Sequence, residues 1–506
     1  MEGALNEAFR LIFADPFVLG LIFIGVFIGI IFGAIPGLTA MMAIVMFLPI
    51  TFWMSPVRGI SMLVSLYIGG ISGGLITAIL LNIPGTPSNI ATVFDGYPMA
   101  QKGMAGKALG LGIVFSFFGT LMGIALLILI SPQLATIAIR FGAYEYFALA
   151  LFALSLVVVL TGKDMVKGFI SCVIGLIFAT VGMAPIDSRP RFTFGQMELF
   201  GGIKLIAVLI GLFAITEVIK YAEKCRDPSA ALKVDTNFKI RGFGFSLKEF
   251  FKQIPNCIRS SFVGVGIGIL PGIGGGTAAM VAYTVAKNTS KTPELFGTGC
   301  NEGIVSCETS NSANIGGNMI PLLSLGIPGD AATAVILGGF MMHGVVPGPL
   351  VFQTHGTVIY GVFIAMVLAS FMLVLQMFLG IRLFAKLLAV PKQYLLPVVL
   401  VFCVVGTIGD SNVIFDLWGM LLFGLIAYGL TKVDVPLIPM ILGFILGPIL
   451  EFNLRRSSQL FVRDPVSVFQ HPIAVVFFAI TLVLLIYNIR TTLKLAKKEA
   501  EKAAAE

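Results

Sequence analysis

Charge is scarce in this chain. Asp, Glu, Lys and Arg make up only 11% of its 506 residues, against about 25% in ordinary soluble domains. A water-soluble fold cannot cover its surface with so few charges, so a cytosolic enzyme, a disordered chain and a coiled coil are excluded. Cysteine is also sparse: Cys172, Cys225, Cys257, Cys300, Cys307 and Cys403 include no CxxC pair. That excludes a disulfide scaffold and leaves six thiols as small apolar side chains.

Apolar side chains are abundant instead, at 57%, with 58 glycines besides. Mean hydropathy is +1.00. About eleven to thirteen apolar runs follow one another with short connections. Most approach the roughly 20 residues that a spanning helix needs. They are continuous and lack the short alternating segments of a β-barrel. The pattern predicts an all-α polytopic membrane protein. The mixed, acidic N-terminus and the run after Pro16 predict a retained spanning helix, with no cleavable signal.

The net charge of +8 is concentrated in two places. Nine Lys and Arg fall between Lys220 and Arg259, and five more lie in the tail from Arg490 to Lys502. The positive-inside rule puts both on the cytoplasmic side. No aromatic interleaving accompanies them, so nucleic acid is not a predicted partner. The expected organisation is a first membrane half at 1–221, a charged cytoplasmic linker at 222–252, a second membrane half with extra helices at 253–489, and a basic and acidic cytoplasmic tail at 490–506.

The two halves repeat. Gly29, Gly33, Pro36 and Gly37 recur as Gly264, Gly268, Pro271 and Gly272, a constant 235 positions later. Ile71, Gly73, Ile76, Leu81, Ile83, Pro84 and Gly85 recur as Ile315, Gly317, Ile320, Leu325, Ile327, Pro328 and Gly329, 244 positions later. Each half therefore carries a Pro-Gly break and then an Ile-Pro-Gly break. Proline removes a backbone N–H, and glycine permits non-helical angles. In hydrocarbon such a break is tolerated only against protein or a wet cavity. Paired breaks in repeated halves mark the midplane site of a secondary transporter. Half-helix N-termini suit an anion, whereas unwound carbonyls suit a cation such as Na⁺.

Candidate substrate-binding residues are thus Pro36 and Gly37, then Asn82, Pro84, Gly85, Thr86, Pro87 and Ser88. From the second half come Pro271, Gly272, Gly274, Asn311, Asn314, Pro328 and Gly329. Asn89, Thr92, Ser324 and Thr333 are further polar neighbours. Ionisable residues at membrane depth are functional candidates by default. Asp330, Glu308, Glu302 and Asp95 are accordingly the cation-coupling candidates, with a Na⁺ site placed near Asp330 and Glu308. The glycine stripes Gly25, Gly29, Gly33 and Gly264, Gly268, Gly272 read as close helix contacts. No cofactor is expected beyond a coupling Na⁺ or H⁺.

At these motifs the sequence resembles the large membrane subunit of the tripartite tricarboxylate transporter family, the TctA type. The residues that carry the resemblance are GAIPGLTA (33–40), YIGGISGGLITAILLNIPGTPSNIATVFDGYPMAQKG (67–103), GILPGIGGG (268–276) and NEGIVSCETSNSANIGGNMIPLLSLGIPGDAATAV (301–335). It implies an ion-gradient-driven importer of tricarboxylates or other carboxylates in the bacterial inner membrane. It also implies two partners, a small four-helix membrane subunit and a periplasmic solute-binding protein. The absence of a GxxxxGK[ST] loop agrees with ion coupling rather than ATP. A homodimer stays open, as do rocking and elevator movements. Two other classes compete. One is a passive carboxylate channel. The other is an intramembrane serine protease using the weak GxSG pattern at Gly70–Gly73, with Ser72 and one of His343, His355 and His471.

Overall fold

A computed structural model describes residues 2–159, 165–224, 243–387, 392–411 and 413–503. The first half of the sequence forms α1 (Glu2–Phe13), α2 (Pro16–Ala34), α3 (Ala40–Thr51), α4 (Pro56–Gly73), α5 (Leu75–Leu81), α6 (Ile90–Met99), α7 (Ala105–Ala138), α8 (Ala143–Val159), α9 (Met165–Ala179), α10 (Leu205–Leu209) and α11 (Thr216–Lys224). The second half forms α12 (Leu247–Gly268), α13 (Gly274–Thr289), α14 (Asn301–Leu325), α15 (Ala331–Met342), α16 (Val351–Thr354), α17 (Gly356–Leu387), α18 (Lys392–Ser411), α19 (Phe415–Lys432), α20 (Ile438–Arg463) and α21 (Pro472–Ala503). The fold is all-α, and among the described residues the only sheet is a short antiparallel hairpin pairing β1 (Gly182–Met183) with β2 (Pro190–Arg191).

Among the described residues, six helical stretches are long and apolar enough to cross a membrane, and five shorter apolar helices accompany them. The chain is a multi-pass membrane protein. The charged linker falls largely on 225–242, outside the described residues, as does Cys225. The chain re-enters at α12 through a capping box in which Ser246 and Glu249 satisfy each other's backbone N–H groups. The last apolar run and the basic tail form one continuous helix, α21.

The chain makes two compact units, Met1–Thr136 with Phe213–Val413, and Ile137–Leu212 with Ile414–Glu506. Compactness does not follow the two sequence halves at 1–221 and 253–489, because each unit draws on both.

The first unit holds the repeat, and the repeat is physical. α2 lies along α4 as α12 lies along α14, through glycines that let the backbones touch. A Cβ on Gly29 would come within 2.5 Å of the Leu66 carbonyl, and one on Gly264 would meet the carbonyl of Ser310, the repeat counterpart of Leu66. Gly33 faces the Gly70 carbonyl, and Gly268 faces the carbonyl of its counterpart, Asn314. Returning the contact, Gly73 meets Ile30 and Gly317 meets Val265, again at equivalent positions. Without a hydrophobic force between helices in lipid, this close backbone approach supplies the dispersion energy that holds them.

In the second unit, α8 and α9 pack on α20, with α21 on α8. Arg191 of the hairpin pairs with both Glu451 carboxylate oxygens at 2.6 and 3.0 Å. Arg455 joins them, 2.9 Å from Glu451 and 3.1 Å from Asp187. His471 Nδ1 lies 2.7 Å from Glu145 at the start of α8.

Candidate functional site in the first unit

The first-half Ile-Pro-Gly break begins where α5 ends at Asn82, which adopts a left-handed backbone (φ 58°). Asn82 and Pro87 are exposed, Pro84 is half-buried, and Gly85, Thr86, Ser88 and Asn89 are buried. Pro87–Asn89 form a single 3₁₀ turn that leads into α6, and no side chain caps it. Gly85 is pressed against Gly74, so a Cβ there would sit 2.6 Å from the Gly74 Cα. The Thr86 hydroxyl donates to Asn89 Oδ1 at 2.6 Å and lies 2.8 Å from Ser88 Oγ.

Asn89 turns its other amide atom to Glu308 on α14. Its Nδ2 donates to Glu308 Oε1 at 3.1 Å, the Thr92 hydroxyl donates to the same oxygen, and Ser116 of α7 donates to Oε2 at 3.1 Å. Glu308 is fully buried. Its partners are neutral, and no ion pair to it occurs among the described residues. A buried carboxylate without a positive neighbour is costly, and it is stabilised by taking up a proton or a hard cation.

The second-half Pro-Gly break faces this segment. Pro271 is buried, Gly272 (φ 82°) and Gly274 (φ 71°) make the turn, and Gly272 N–H donates to the Gly329 carbonyl at 2.7 Å. α13 then starts on three glycines with no side-chain cap. A Cβ on Gly276 would lie 2.9 Å from the Pro87 carbonyl. One on Gly275 would lie 2.5 Å from Asn311 Oδ1 and 3.2 Å from Ser88 Cβ. Asn311 is 1% exposed, yet among the described residues neither polar atom of its side-chain amide has a hydrogen-bond partner.

The remaining two breaks are closed by their own side chains. Thr39 caps α3 after the Pro36-Gly37 turn, accepting from Met42 N–H at 3.3 Å. Asp330 caps α15, accepting from Thr333 N–H at 2.8 Å and from the Thr333 hydroxyl at 2.7 Å. The Tyr67 hydroxyl on α4 donates to Asp330 Oδ2 at 2.8 Å. Asn318 Nδ2 donates to the Tyr67 oxygen at 2.8 Å and to Asn314 Oδ1 at 2.9 Å, and Asn314 Nδ2 donates to the Gly264 carbonyl at 3.1 Å. Pro328 and Gly329 are buried beside this chain of bonds, and a Cβ on Gly329 would meet Asn318 Cα at 2.6 Å.

Asp95 of α6 and Glu302 in the first turn of α14 lie elsewhere, against the connection between α13 and α14. Asp95 Oδ1 accepts from the backbone N–H groups of Gly297, Gly299 and Cys300 at 2.9, 2.8 and 2.7 Å, and Oδ2 accepts from Tyr283 at 2.9 Å. Glu302 accepts from Ser290 at 2.6 Å. Four donors leave Asp95 little capacity for a cation; it holds the 290–300 connection onto α6. Asp95→Ala strands three N–H groups, and each hydrogen bond to a charged group is worth about 1.5–3 kcal/mol. We expect a melting temperature lowered by several degrees in detergent; an unchanged value would show the strap to be dispensable.

Among the described residues, no three of His, Cys, Asp and Glu converge as metal ligands. Ser72 is buried, and its hydroxyl has no hydrogen-bond partner in the described part of the chain. The three histidines face Thr51 (His343), Thr354 (His355) and Glu145 (His471). The GxSG segment therefore has no histidine hydrogen-bonded to its serine. Tyr67, Ser116 and Asn318 are the polar residues that composition and motif did not single out. Tyr67 was recoverable, because 244 positions on it corresponds to Asn311.

The family model of the Tripartite tricarboxylate transporter TctA family matches residues 19–442. The chain belongs to the TctA family. As a TctA-family protein it is the large membrane subunit of a tripartite tricarboxylate transporter, and all of the breaks described above lie inside the matched region. A relative in Agrobacterium vitis, the uncharacterized 52.8 kDa protein in the TAR-I ttuC' 3'region, is 35% identical over 460 residues, 91% of either chain. A second protein of that organism, from the TAR-II ttuC' 3'region, is 35% identical over 220 residues, 44% of this chain and 91% of the relative. No solved structure matches the chain.

Proposed function

We propose that this TctA-family subunit is an ion-coupled importer of carboxylates in the bacterial inner membrane. A periplasmic solute-binding protein delivers the substrate, and a small four-helix membrane subunit completes the assembly. The linker and the C-terminus lie in the cytoplasm, as their Lys and Arg content favours. The observation that supports this reading best is the pairing of an uncapped helix break with a buried carboxylate whose described partners are all neutral, through one shared side chain. Asn89 binds Thr86 of the break through its oxygen and Glu308 through its nitrogen.

That arrangement gives a coupling route. A Na⁺ or H⁺ on Glu308 neutralises the carboxylate and changes what Asn89 Nδ2 can donate to. Asn89 in turn sets the Thr86 and Ser88 hydroxyls that face an incoming anion. Two ligands that each reorient one side chain are coupled reciprocally. The cation also offsets the substrate's charge at a depth where an unpaired anion is costly.

The test is uptake of labelled citrate and smaller carboxylates into proteoliposomes holding this chain, its small subunit and the binding protein. Accumulation above equilibrium under an imposed Na⁺ or proton gradient is expected, and the effective gradient names the ion. Equilibration without accumulation would mean a passive channel. No flux under either gradient with all three components folded would overturn the reading.

A further inference from the structure

The repeat creates two equivalent places in the first unit, each built from an Ile-Pro-Gly helix start, a Pro-Gly helix start and one side chain from the long helix of the other half. In one place these are Pro87–Asn89 leading into α6, the start of α13, and Asn311 of α14. In the other they are the start of α15, the start of α3, and Tyr67 of α4. Tyr67 and Asn311 are the same repeat position, as are Thr86 and Asp330.

The places are occupied differently. In the second, both helix starts are capped by their own side chains, Thr39 and Asp330, and Tyr67 donates to that carboxylate at 2.8 Å. In the first, neither helix start has a side-chain cap. They face each other, with Gly276 against Pro87 and Gly275 against Ser88. Asn311, the counterpart of Tyr67, sets its Oδ1 against Gly275, and its Nδ2, the atom that can donate to an anion, has no partner among the described residues. A helix start binds an anion through free N–H groups and the positive end of the dipole. A buried amide left unpartnered costs about 1–3 kcal/mol unless a ligand satisfies it.

We propose that the chain has a single open anion site, at Ser88, Asn311 and the Gly274–Gly276 helix start, which takes one carboxylate group of the substrate, and that Asp330 fills the repeat-related place as a built-in carboxylate. The Asp330 contacts then show how the open site works: a helix start and a side chain from the opposite half clasp one carboxylate. This deepens the transporter reading and rests on it for the identity of the substrate. Thr86, where the other half has Asp330, leaves the helix start itself without a capping carboxylate.

The experiment is binding of citrate, succinate and sulfate to the purified full-length chain, by calorimetry and by ligand-induced melting shift. Thr86→Asp transplants the built-in carboxylate into the open site, and Asn311→Leu keeps volume while removing the amide. Both are compared with the parent for monodisperse elution and for melting temperature without ligand. The parent is expected to bind one anion per chain. Thr86→Asp is expected to weaken this about 100-fold or more, since like charges set together cost several kcal/mol. Asn311→Leu should weaken it about tenfold, the loss of one buried hydrogen bond. Binding within threefold of the parent in a folded Thr86→Asp or Asn311→Leu chain, two anions per chain, or no anion bound by the parent would each overturn the proposal. One bound anion that both variants lose, together with no uptake under any gradient, would sustain this site and sink the transporter reading instead.

Discussion

Glu308→Gln is expected to abolish gradient-driven accumulation of carboxylate, by about 100-fold or more, a loss on the scale of a removed essential proton-transfer group. The glutamate is fully buried on α14 and held by Asn89, Thr92 and Ser116, all neutral. Glutamine matches the shape of the protonated acid and can still accept from Thr92 and Asn89. It cannot bind or release an ion. The variant should therefore fold and elute like the parent while losing its response to an imposed gradient.

The same variant separates the two ions. If the ion is H⁺, glutamine imitates the loaded state, and exchange of labelled for unlabelled carboxylate at zero gradient persists. If the ion is Na⁺, the missing negative charge empties the site, and exchange falls with accumulation. Accumulation within threefold of the parent would remove Glu308 from coupling altogether. Asp330 does not offer the same experiment. Its carboxylate is engaged by Thr333 and Tyr67 and closes a helix start, so removing it takes away the α15 cap together with the charge.

The architecture was readable in the sequence because membranes leave few choices. Apolar runs near spanning length with almost no charge must be helices, and Pro-Gly pairs must interrupt them. The breaks lie at Pro36, Pro84, Pro271 and Pro328, and their spacing already contained the repeat. What a linear pattern did not contain was which break faces which. The start of α13 lies against Pro87 and Ser88, far earlier in the chain, and Tyr67 reaches Asp330 across 263 positions. Capping likewise depends on rotamer and backbone direction. Asp95, Glu302, Glu308 and Asp330 look alike as carboxylates beside breaks. Only placement separates the Asp95 strap, with three N–H partners, from Glu308, with three side-chain partners. The compact units were hidden for a related reason. The two halves pair with each other in space, so both units take segments from both halves.

The glycine contacts make the repeat testable as a physical object. Gly29→Leu and Gly264→Leu should each prevent stable folding of the first unit, and to a similar degree, because the two positions make the same contact. In each case a carbonyl of the facing helix occupies the space of a Cβ: Leu66 for Gly29 and Ser310 for Gly264. Overpacking of an interior ordinarily costs about 1–3 kcal/mol, and here the obstacle is backbone, which cannot rotate away. The helices must separate, and separation removes the dispersion contacts that hold helices together in lipid. A loss of about 3 kcal/mol or more is expected, enough to reduce monodisperse protein severely. Gly20, with nothing within 4 Å of its Cβ position, serves as the control, and Gly20→Leu should express and melt like the parent. The decisive comparison is between equivalent positions. If Gly29→Leu aggregates while Gly264→Leu elutes and melts normally, the two halves are not held by the same contact, and the equivalence of the two anion places falls with it.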